Sequence, residues 1–197
     1  MAKARVEQNR KLTKAEKADL KVARAAALES DSWAEGLLGG FRRIGDQPPM
    51  AVVSATVLAC GLAFRDRRMA RTGVKMLAAL GLATLLKGAI KDNVDRTRPG
   101  EVIENGGYRL KPGSSKARAL RSMPSGHSAG AAAVFAAAAR EYPGASIPLI
   151  GAAGAIAAAQ LPTRSHFVSD VAAGFVLGLA SEWVTSAAVD RLDAAVA

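Results

Sequence analysis

Five apolar stretches rich in alanine and glycine restrict this chain to a helical fold. Alanine has the highest helix propensity, and small side chains let neighbouring helices approach closely, so these stretches are expected to pack together. We predict an all-α fold, a helical bundle of about five to six mostly transmembrane helices with a basic amphipathic helix at the N-terminus. The stretches run over Met50–Phe64, Val74–Ile90, Ser128–Ala139, Ile147–Leu161 and Val171–Val189.

The length of these stretches does not by itself separate a membrane protein from a soluble bundle. Several are shorter than the roughly 20 residues that a transmembrane helix needs. Lys75 and Lys87 also interrupt the second stretch. Small residues four apart, such as Gly174 and Gly178, predict close helix packing within the bundle, which is common in lipid. The residues therefore favour a membrane protein and leave the soluble bundle open.

The strong positive charge of the chain predicts anionic partners. The formal net charge is +10, which suits nucleic acid, anionic lipid headgroups or phosphorylated substrates. The basic residues are not interleaved with aromatic residues that stack on bases, so nucleic acid is the least favoured partner. The chain has a single cysteine, Cys60, so a framework of internal disulfides is excluded. Cys60 lies in an apolar segment.

The N-terminal region differs from the rest in being polar and charged. Residues 1–29 are predicted to form a basic amphipathic helix, with Thr13 and Glu16 as its capping box. A helix on an anionic membrane surface and a solvated tail both fit this pattern. The lack of an apolar segment behind the basic start argues against a cleavable signal peptide. We therefore divide the chain into an N-terminal helical segment, residues 1–44, and a main domain, residues 45–190.

Lys91, Arg98 and Pro99 form the first group of candidate site residues. Seven positions separate Lys91 from Arg98, a spacing that places both side chains on one face if the segment is helical. Proline is predicted to end that helix, because the residue before it avoids helical dihedral angles. The ammonium and the guanidinium would then bind phosphate oxygens at a helix end. A basic cluster beside a membrane is the simpler alternative.

The segment Pro124-Ser125-Gly126-His127 comes directly before an alanine-rich run that is predicted to be helical. It therefore lies at a helix N-terminus, where free N–H groups and the helix dipole attract an anion. Gly126 lets the backbone approach a phosphate, Ser125 can donate its hydroxyl, and His127 is expected to point into the same space. An ordinary helix cap beside an exposed histidine is the alternative.

His166 and Asp170 are four residues apart and are expected to be neighbours on one helical face. A carboxylate beside a neutral imidazole fixes which ring nitrogen carries the proton and leaves the other for attack. The chain has two histidines, and both lie in these candidate groups. Seen alone, the pair could equally be a surface ion pair near a helix start.

Taken in this order, the three groups resemble the motifs of the type 2 phosphatidic acid phosphatase (PAP2) superfamily, over about residues 45–185. The resemblance implies a phosphatase that needs no metal and no cofactor and acts on a lipid phosphate or prenyl diphosphate. His166 would be the nucleophile that forms a phosphohistidine, and Asp170 its orienting partner. His127 would be the general acid that protonates the leaving oxygen. The phosphate-binding residues implied are Lys91, Arg98, Ser125 and Gly126.

The chain departs from the family pattern at Gln160. The family carries an arginine at this position, six residues before the nucleophilic histidine. The nearby arginine is Arg164, two residues before His166. We predict that the break at Pro162 leaves Arg164 in a loop that brings its guanidinium onto the phosphate. If Arg164 points elsewhere, the protein is expected to be slow or inactive.

The positive-inside rule predicts how the chain is oriented in the membrane. The basic turn Arg65–Arg68 is expected to be cytoplasmic by the positive-inside rule, which puts Lys91 on the outer side of the cell (inner) membrane. A basic N-terminus on that outer side conflicts with the rule, although long tails count less. The expected partners are the membrane and a lipid phosphate.

Two alternative functions stay open. The chain could be a non-catalytic membrane protein that binds anionic headgroups, or a soluble acid phosphatase of the same superfamily.

Overall fold

Helices build almost the whole fold, and two short strands lie at one end of it. A computed structural model describes residues 12–26, 40 and 43–196. The prediction of an all-α helical bundle is confirmed for this part of the chain. Its helices are α1 (Lys14–Ala26), α2 (Gln47–Ala63), α3 (Arg67–Lys91), α4 (Pro99–Asn105), α5 (Gly126–Glu141), α6 (Ser146–Ala158) and α7 (Val168–Val196). Strands β1 (Val94–Arg96) and β2 (Leu110–Pro112) pair antiparallel, and single 3-10 turns cover Arg118–Leu120 and Pro143–Ala145.

Helix α5 forms the centre of the bundle, in contact with α3, α6 and α7. Its alanines fill the core, and a run of three of them, residues 131–133, is fully buried. Helix α7 packs closely on it at Gly178, where a Cβ atom would lie 2.3 Å from the carbonyl oxygen of Ala129. A Cβ atom on Gly174 would lie 2.3 Å from the carbonyl oxygen of Ser125. The prediction that these two glycines pack within the bundle is therefore confirmed.

The outer surface of the bundle is apolar where α2, α3 and α7 face away from the core. Arg67–Lys91 and Val168–Ala195 are long and apolar enough to cross a membrane, and Gln47–Ala63 and Pro143–Ala158 are shorter apolar segments. Trp183, for example, is 66% exposed. A surface of this kind is unusual for a protein in water and suits contact with lipid. The other exposed apolar residues on these helices include Val52, Val53, Leu62, Leu85, Leu86, Val176 and Val184.

Lys75, which interrupts an apolar stretch, is buried in an ion-pair cluster near the Arg67 end of α3. Its side chain is 1% exposed, and its Nζ lies 2.5 Å from Glu141 Oε1 and 2.6 Å from Asp190 Oδ1. Arg71 contacts the same two carboxylates. These pairs compensate the cost of removing the lysine from water and join α3 to the ends of α5 and α7.

The predicted N-terminal helix is confirmed over Lys14–Ala26; residues 1–11 and 27–39 lie outside the described part of the chain. The capping box is also confirmed. The Thr13 N–H donates to Glu16 Oε2 at 2.8 Å, and the Glu16 N–H donates to Thr13 Oγ1 at 3.3 Å. The helix is neither a free tail nor only a surface helix, because one of its faces packs on the bundle. That face carries Leu20 and Ala23, which contact Val102 and Phe167.

The prediction of one helix through Lys91 and Arg98 is wrong. Helix α3 ends at Lys91, strand β1 follows, and Arg98 is the N-cap of α4. The segment pairs instead with the chain leading into β2, as the Thr97 N–H donates to the Arg109 carbonyl at 3.0 Å. Pro99 therefore begins a helix rather than ending one. This suits proline, whose missing N–H has no partner at the first helical position in any case.

Candidate active site

The predicted site residues converge at the end of the bundle where α3 ends and α5 and α7 begin. Lys91 is the last residue of α3, Ser125 is the N-cap of α5, and His166 lies just before α7. The Ser125 N–H donates to the main-chain carbonyl of Asp170 at 3.0 Å, which joins the second group to the third. The fold thus brings together groups that are up to 79 positions apart in sequence, from Lys91 to Asp170.

His166 is buried, and its ring is oriented by the main chain. Its Nδ1 lies 2.8 Å from the carbonyl oxygen of Ser122. A carbonyl can only accept a hydrogen bond, so Nδ1 carries the proton and Nε2 keeps its lone pair. The structure differs here from the expectation that Asp170 holds this proton, because Asp170 Oδ2 is 3.9 Å from Nδ1.

Asp170 is fully buried and binds the segments that surround His166. Its Oδ2 accepts hydrogen bonds from Ser122 Oγ at 2.5 Å and from the Phe167 N–H at 2.8 Å. Its Oδ1 accepts a charge-assisted hydrogen bond from Arg96 Nη1 at 2.6 Å. Asp170 is therefore connected to His166 through Ser122. Sequence reasoning missed both Ser122 and Arg96, although Arg96 lies inside the first group and Ser122 just before the second.

The surroundings of His166 favour a neutral imidazole. Burial lowers the pKa of His166 well below its ordinary value of 6.5, and the positive charges of Arg98 and Lys91 lower it further. The hydrogen bond from Nδ1 to Ser122 opposes this effect but does not cancel it. An imidazole that stays neutral at and below neutral pH is available as a nucleophile.

The two predicted phosphate-binding cations are held by the main chain of residues 118–121. Lys91 Nζ donates to the Arg121 carbonyl at 2.7 Å, and Arg98 Nε donates to the Arg118 carbonyl at 3.0 Å. Arg121 in turn contacts Asp92 at 2.8 Å. These bonds fix the positions of Lys91 and Arg98 although the two residues belong to different elements.

The start of α5 is a tight backbone turn that lies against a second lysine of α3. Ser125 Oγ accepts hydrogen bonds from the Ser128 N–H at 3.4 Å and from Ser128 Oγ at 3.0 Å. A Cβ atom on Gly126 would lie 3.1 Å from Lys87 Cδ and 3.5 Å from Lys87 Nζ. Lys87 was not among the candidates from sequence. The sequence feature that could have identified Lys87 is its charge within an apolar stretch, which often marks a functional residue in a membrane helix.

His127 is paired with a carboxylate that sequence reasoning also missed. Its Nε2 lies 2.6 Å from Oδ1 of Asp46, the N-cap of α2. The two groups form an ion pair whenever the imidazole is protonated. They line a cavity of about 390 Å³ together with Gln47, Lys87 and Gly126. His127 thus lies beside a space that a ligand can enter.

Arg164 lies at the edge of the site, in a backbone conformation that is uncommon for an arginine. Its φ is 54°, in the left-handed region, and its carbonyl accepts a hydrogen bond from the Gly100 N–H at 2.9 Å. The side chain lines a cavity of about 390 Å³ together with Arg98, and its Nη1 lies 4.0 Å from Glu104 Oε1. The predicted contact of Arg164 with a phosphate stays a prediction.

Gln160 occupies a different environment, inside the bundle. Its side chain is fully buried, and Nε2 makes a long hydrogen bond of 3.4 Å to the carbonyl of Ile156. It is therefore tied to the last turn of α6. Within residues 12–26, 40 and 43–196, no group of three His, Cys, Asp or Glu side chains has an arrangement that would hold a metal ion.

Three comparisons relate the chain to known proteins. The PAP2 superfamily model matches residues 72–193. A lipid A 1-phosphatase of Rhizobium etli is 31% identical over 106 residues, which cover 54% of this chain and 45% of that protein. The match thus spans less than half the length of this relative.

Two solved structures share the fold. The crystal structure of a transmembrane PAP2 type phosphatidylglycerolphosphate phosphatase from Bacillus subtilis superposes with a TM-score of 0.65 at 22% identity, covering 91% of this chain and 88% of that one. LpxE from Aquifex aeolicus superposes with a TM-score of 0.63 at 21% identity, covering 84% and 93%. The family match extends over more than half of the chain and includes all three groups of site residues, so the protein belongs to the PAP2 superfamily.

Proposed function

We propose that this protein is a membrane phosphatase that hydrolyses phosphorylated lipids through a phosphohistidine intermediate. The observation that carries the proposal is the buried His166, whose Nδ1 is occupied by the Ser122 carbonyl at 2.8 Å. The neutral ring has Nε2 left for attack, and Lys91 and Arg98 lie near enough to lower its pKa. A neutral nucleophile beside two cations fits attack on a phosphate.

In the first step, His166 Nε2 forms a bond to phosphorus while the bond from phosphorus to the leaving oxygen breaks. The leaving oxygen takes its proton from His127, which acts as general acid beside Asp46. The ring of His166 becomes positively charged, and the Ser122 carbonyl and the nearby Asp170 carboxylate stabilise that charge. The dephosphorylated lipid then leaves.

In the second step, water replaces the ring. His127, now neutral, accepts a proton from a water molecule whose oxygen attacks phosphorus, and the bond from phosphorus to Nε2 breaks. Phosphate leaves, the electron pair returns to Nε2, and both histidines regain their starting protonation states. The same histidine thus serves as acid and then as base, as microscopic reversibility requires.

The phosphate oxygens would be bound by the cations and by the start of α5. Lys91 and Arg98 are fixed by main-chain carbonyls, and the N–H groups at Gly126 and beyond point out of a helix N-terminus. Lys87 adds a third positive charge beside Gly126. Arg164 shares a cavity with Arg98, which supports a role on the side of the substrate headgroup.

We place the protein in the cell (inner) membrane as a multi-pass protein with the site facing outward. The apolar outer surfaces of α2, α3 and α7 support contact with lipid. Helix α3 separates the basic turn at Arg67 from the site end at Lys91, so a cytoplasmic basic turn puts the site on the other side. The structure also locates α1 at the site end, because Asp19 contacts Ser169.

The substrate class follows from the family and the site. The relatives named above are a lipid A 1-phosphatase and a phosphatidylglycerolphosphate phosphatase, which supports a lipid phosphomonoester as substrate. The prenyl diphosphate predicted from the motifs stays a second candidate. Both present a terminal phosphoryl group to the cations. The lipid chain would lie against the exposed apolar helices.

The test is phosphate release by the purified full chain in detergent with EDTA present. The panel contains phosphatidic acid, phosphatidylglycerol phosphate, a lipid A 1-phosphate and a prenyl diphosphate. We expect the wild-type protein to release phosphate and the His166→Ala variant to release none. Lys116→Met, a substitution of an exposed residue, is the control and should release phosphate like wild type. A folded wild-type protein that binds these lipids without turnover would instead favour a headgroup-binding protein, for which Gln160 in place of the family arginine is the supporting observation.

A further inference from the structure

The N-terminal helix α1 reaches the site through one carboxylate. Asp19 Oδ2 lies 2.9 Å from Arg96 Nη2, and its Oδ1 accepts a hydrogen bond from the Ser169 N–H at 3.2 Å. Its Oδ2 also accepts from Ser169 Oγ. The Asp19 side chain is 11% exposed, so this contact is shielded from water and is stronger than a surface ion pair.

Arg96 connects this carboxylate to the one that supports His166. The guanidinium is 3% exposed, and it donates through Nη1 to Asp170 Oδ1 at 2.6 Å while Nη2 faces Asp19. The ring of Phe167 covers its face, with 4.5 Å from the Arg96 Cζ to the ring centroid. Asp19 and Asp170 therefore bind different nitrogen atoms of the same guanidinium. Because the guanidinium is planar and rigid, a shift of one carboxylate changes the position of the other.

The rest of α1 is docked in a way that keeps Asp19 in place. Leu20, the next residue, packs in a buried cluster with Val102 and Phe167. Glu16, one turn earlier, is 7% exposed and closes the capping box with Thr13. By contrast, Lys17 and Lys21 on the other face are exposed. The helix thus carries one carboxylate to the site end and leaves its basic face outside.

We infer that Asp19 is a positioning residue for the reaction, which acts through Arg96 and Asp170 on the Ser122 to His166 hydrogen bond. This inference rests on the proposed function. When Asp19 is removed, Nη2 of Arg96 loses its partner in a buried place and the guanidinium shifts, so Asp170 is less well held. Ser122 and the ring of His166 then lose their fixed orientation. Lys91, Arg98 and Ser125 do not touch Asp19 in any contact described above, so substrate binding is expected to stay the same.

The experiment uses the full chain in detergent and p-nitrophenyl phosphate, with rapid mixing to follow the first turnover. In Asp19→Asn, the rate constant of phosphohistidine formation is expected to fall about threefold to tenfold, and no further than in Ser122→Ala, because the effect passes through Ser122. The substrate dissociation constant, obtained from the dependence of the burst rate constant on substrate concentration, is expected to stay within about twofold of wild type. Asp19→Glu, which keeps the charge, should recover most of the rate, and Lys17→Gln on the exposed face should equal wild type.

Each other outcome counts against the inference. An unchanged rate constant in Asp19→Asn would overturn it while the proposed function stands. A lower burst amplitude with an unchanged rate constant would show that Asp19 only stabilises the fold, and loss of folded protein in both Asp19 variants would show the same. A folded wild-type protein that releases no nitrophenolate, in a burst or in the steady state, would overturn the proposed function and this inference together.

Discussion

His166 and Ser122 are joined by a hydrogen bond of 2.8 Å between Nδ1 and the main-chain carbonyl oxygen. This bond, and not the carboxylate of Asp170, sets the tautomer of the imidazole. Asp170 lies behind it and binds the hydroxyl of the same serine. The Ser122 carbonyl orients the imidazole ring, and Asp170 holds Ser122 in place. Mutations can test these two tasks separately.

Substitutions behind His166 are expected to fall in a fixed order of severity. His166→Ala removes the nucleophile and should abolish turnover. Asp170→Asn should lower kcat about a hundredfold, since it weakens the bond to Arg96 but leaves the Ser122 carbonyl in place. Ser122→Ala removes the hydroxyl and keeps the carbonyl, so its effect should stay below about tenfold. Steady-state kcat checks the order, and a Ser122→Ala variant as slow as Asp170→Asn would contradict it.

The two histidines are expected to respond differently to the leaving group. With p-nitrophenyl phosphate the leaving oxygen needs no proton, so His127→Gln should still form the phosphohistidine and release about one nitrophenolate per protein. Slow turnover should follow, because water lacks its base. His166→Ala should show no burst at all. Stopped-flow absorbance measures both, and a His127→Gln variant without a burst would rule out a general acid role as its main task.

The proton affinity of His166 predicts how the protein responds to acid. Its pKa in the folded protein is lowered below 6.5, so the unfolded chain binds a proton first as pH falls. The associated stability is present above about pH 6.5 and is lost progressively below it.

Nuclear magnetic resonance of histidine labelled with nitrogen-15 checks this directly, because the chain has two histidines and His127→Gln identifies the second signal. The His166 ring should titrate at a pH below the ordinary histidine pKa of 6.5. A titration midpoint near its ordinary value would contradict the burial and the cationic surroundings described for this ring.

The contact of α7 with α5 is expected to tolerate no side chain at Gly178. A Cβ atom there would lie 2.3 Å from the Ala129 carbonyl oxygen and 2.7 Å from Ala132 Cβ, and overpacking of this kind costs about 1–3 kcal/mol. Gly178→Ala should therefore lower the thermal unfolding midpoint in detergent. The control is Gly151→Ala in α6, where nothing lies within 4 Å and a gain of up to about 1 kcal/mol is expected from helix propensity.

The buried Lys75 is expected to matter for stability and not for the chemistry. Lys75→Met removes one of the cations that contact Glu141 and Asp190, and the free energy of unfolding should fall by about 1–3 kcal/mol, because Arg71 still contacts both carboxylates. Lys116→Met breaks the pair with Asp92 on the surface, where Lys116 is 72% exposed, and should lower the stability much less, because water and salt screen exposed charges. Chemical or thermal unfolding in detergent compares the two. Equal losses would contradict a buried role for Lys75.

The helical architecture could be read from the sequence with few errors. Ala-rich apolar segments have a high helix propensity, and their small side chains favour close packing of the helices. The spacing of Gly174 and Gly178 indicated a tight contact between helices. The capping box at Thr13 and Glu16 is a local signal that needs no tertiary structure. By contrast, the segment between Lys91 and Arg98 was predicted as helix and is extended. Its conformation depends on pairing with strand β2, which begins at Leu110, 16 residues after the first residue of β1, Val94. No local sequence pattern indicates this pairing.

The candidate site shows the same division. His127, His166 and their neighbours stood out because short motifs keep chemically necessary groups close in sequence. Asp46, Lys87 and Ser122 did not, although Asp46 lies 2.6 Å from His127 and Ser122 2.8 Å from His166. These partners come from separate elements, and only the packing of α2, α3 and the segment before α5 brings them together.

The sequence by itself therefore determined the helical class and the family motifs, including the two histidines as candidate site residues, because residue composition and local spacing encode them. The tertiary structure alone decided which groups orient those histidines. It assigned the tautomer of His166 to a main-chain carbonyl and joined Asp170 to Asp19 through Arg96, over 151 positions of sequence. Contacts of this length depend on how the helices dock, and docking is set by the summed packing of many side chains rather than by any short segment.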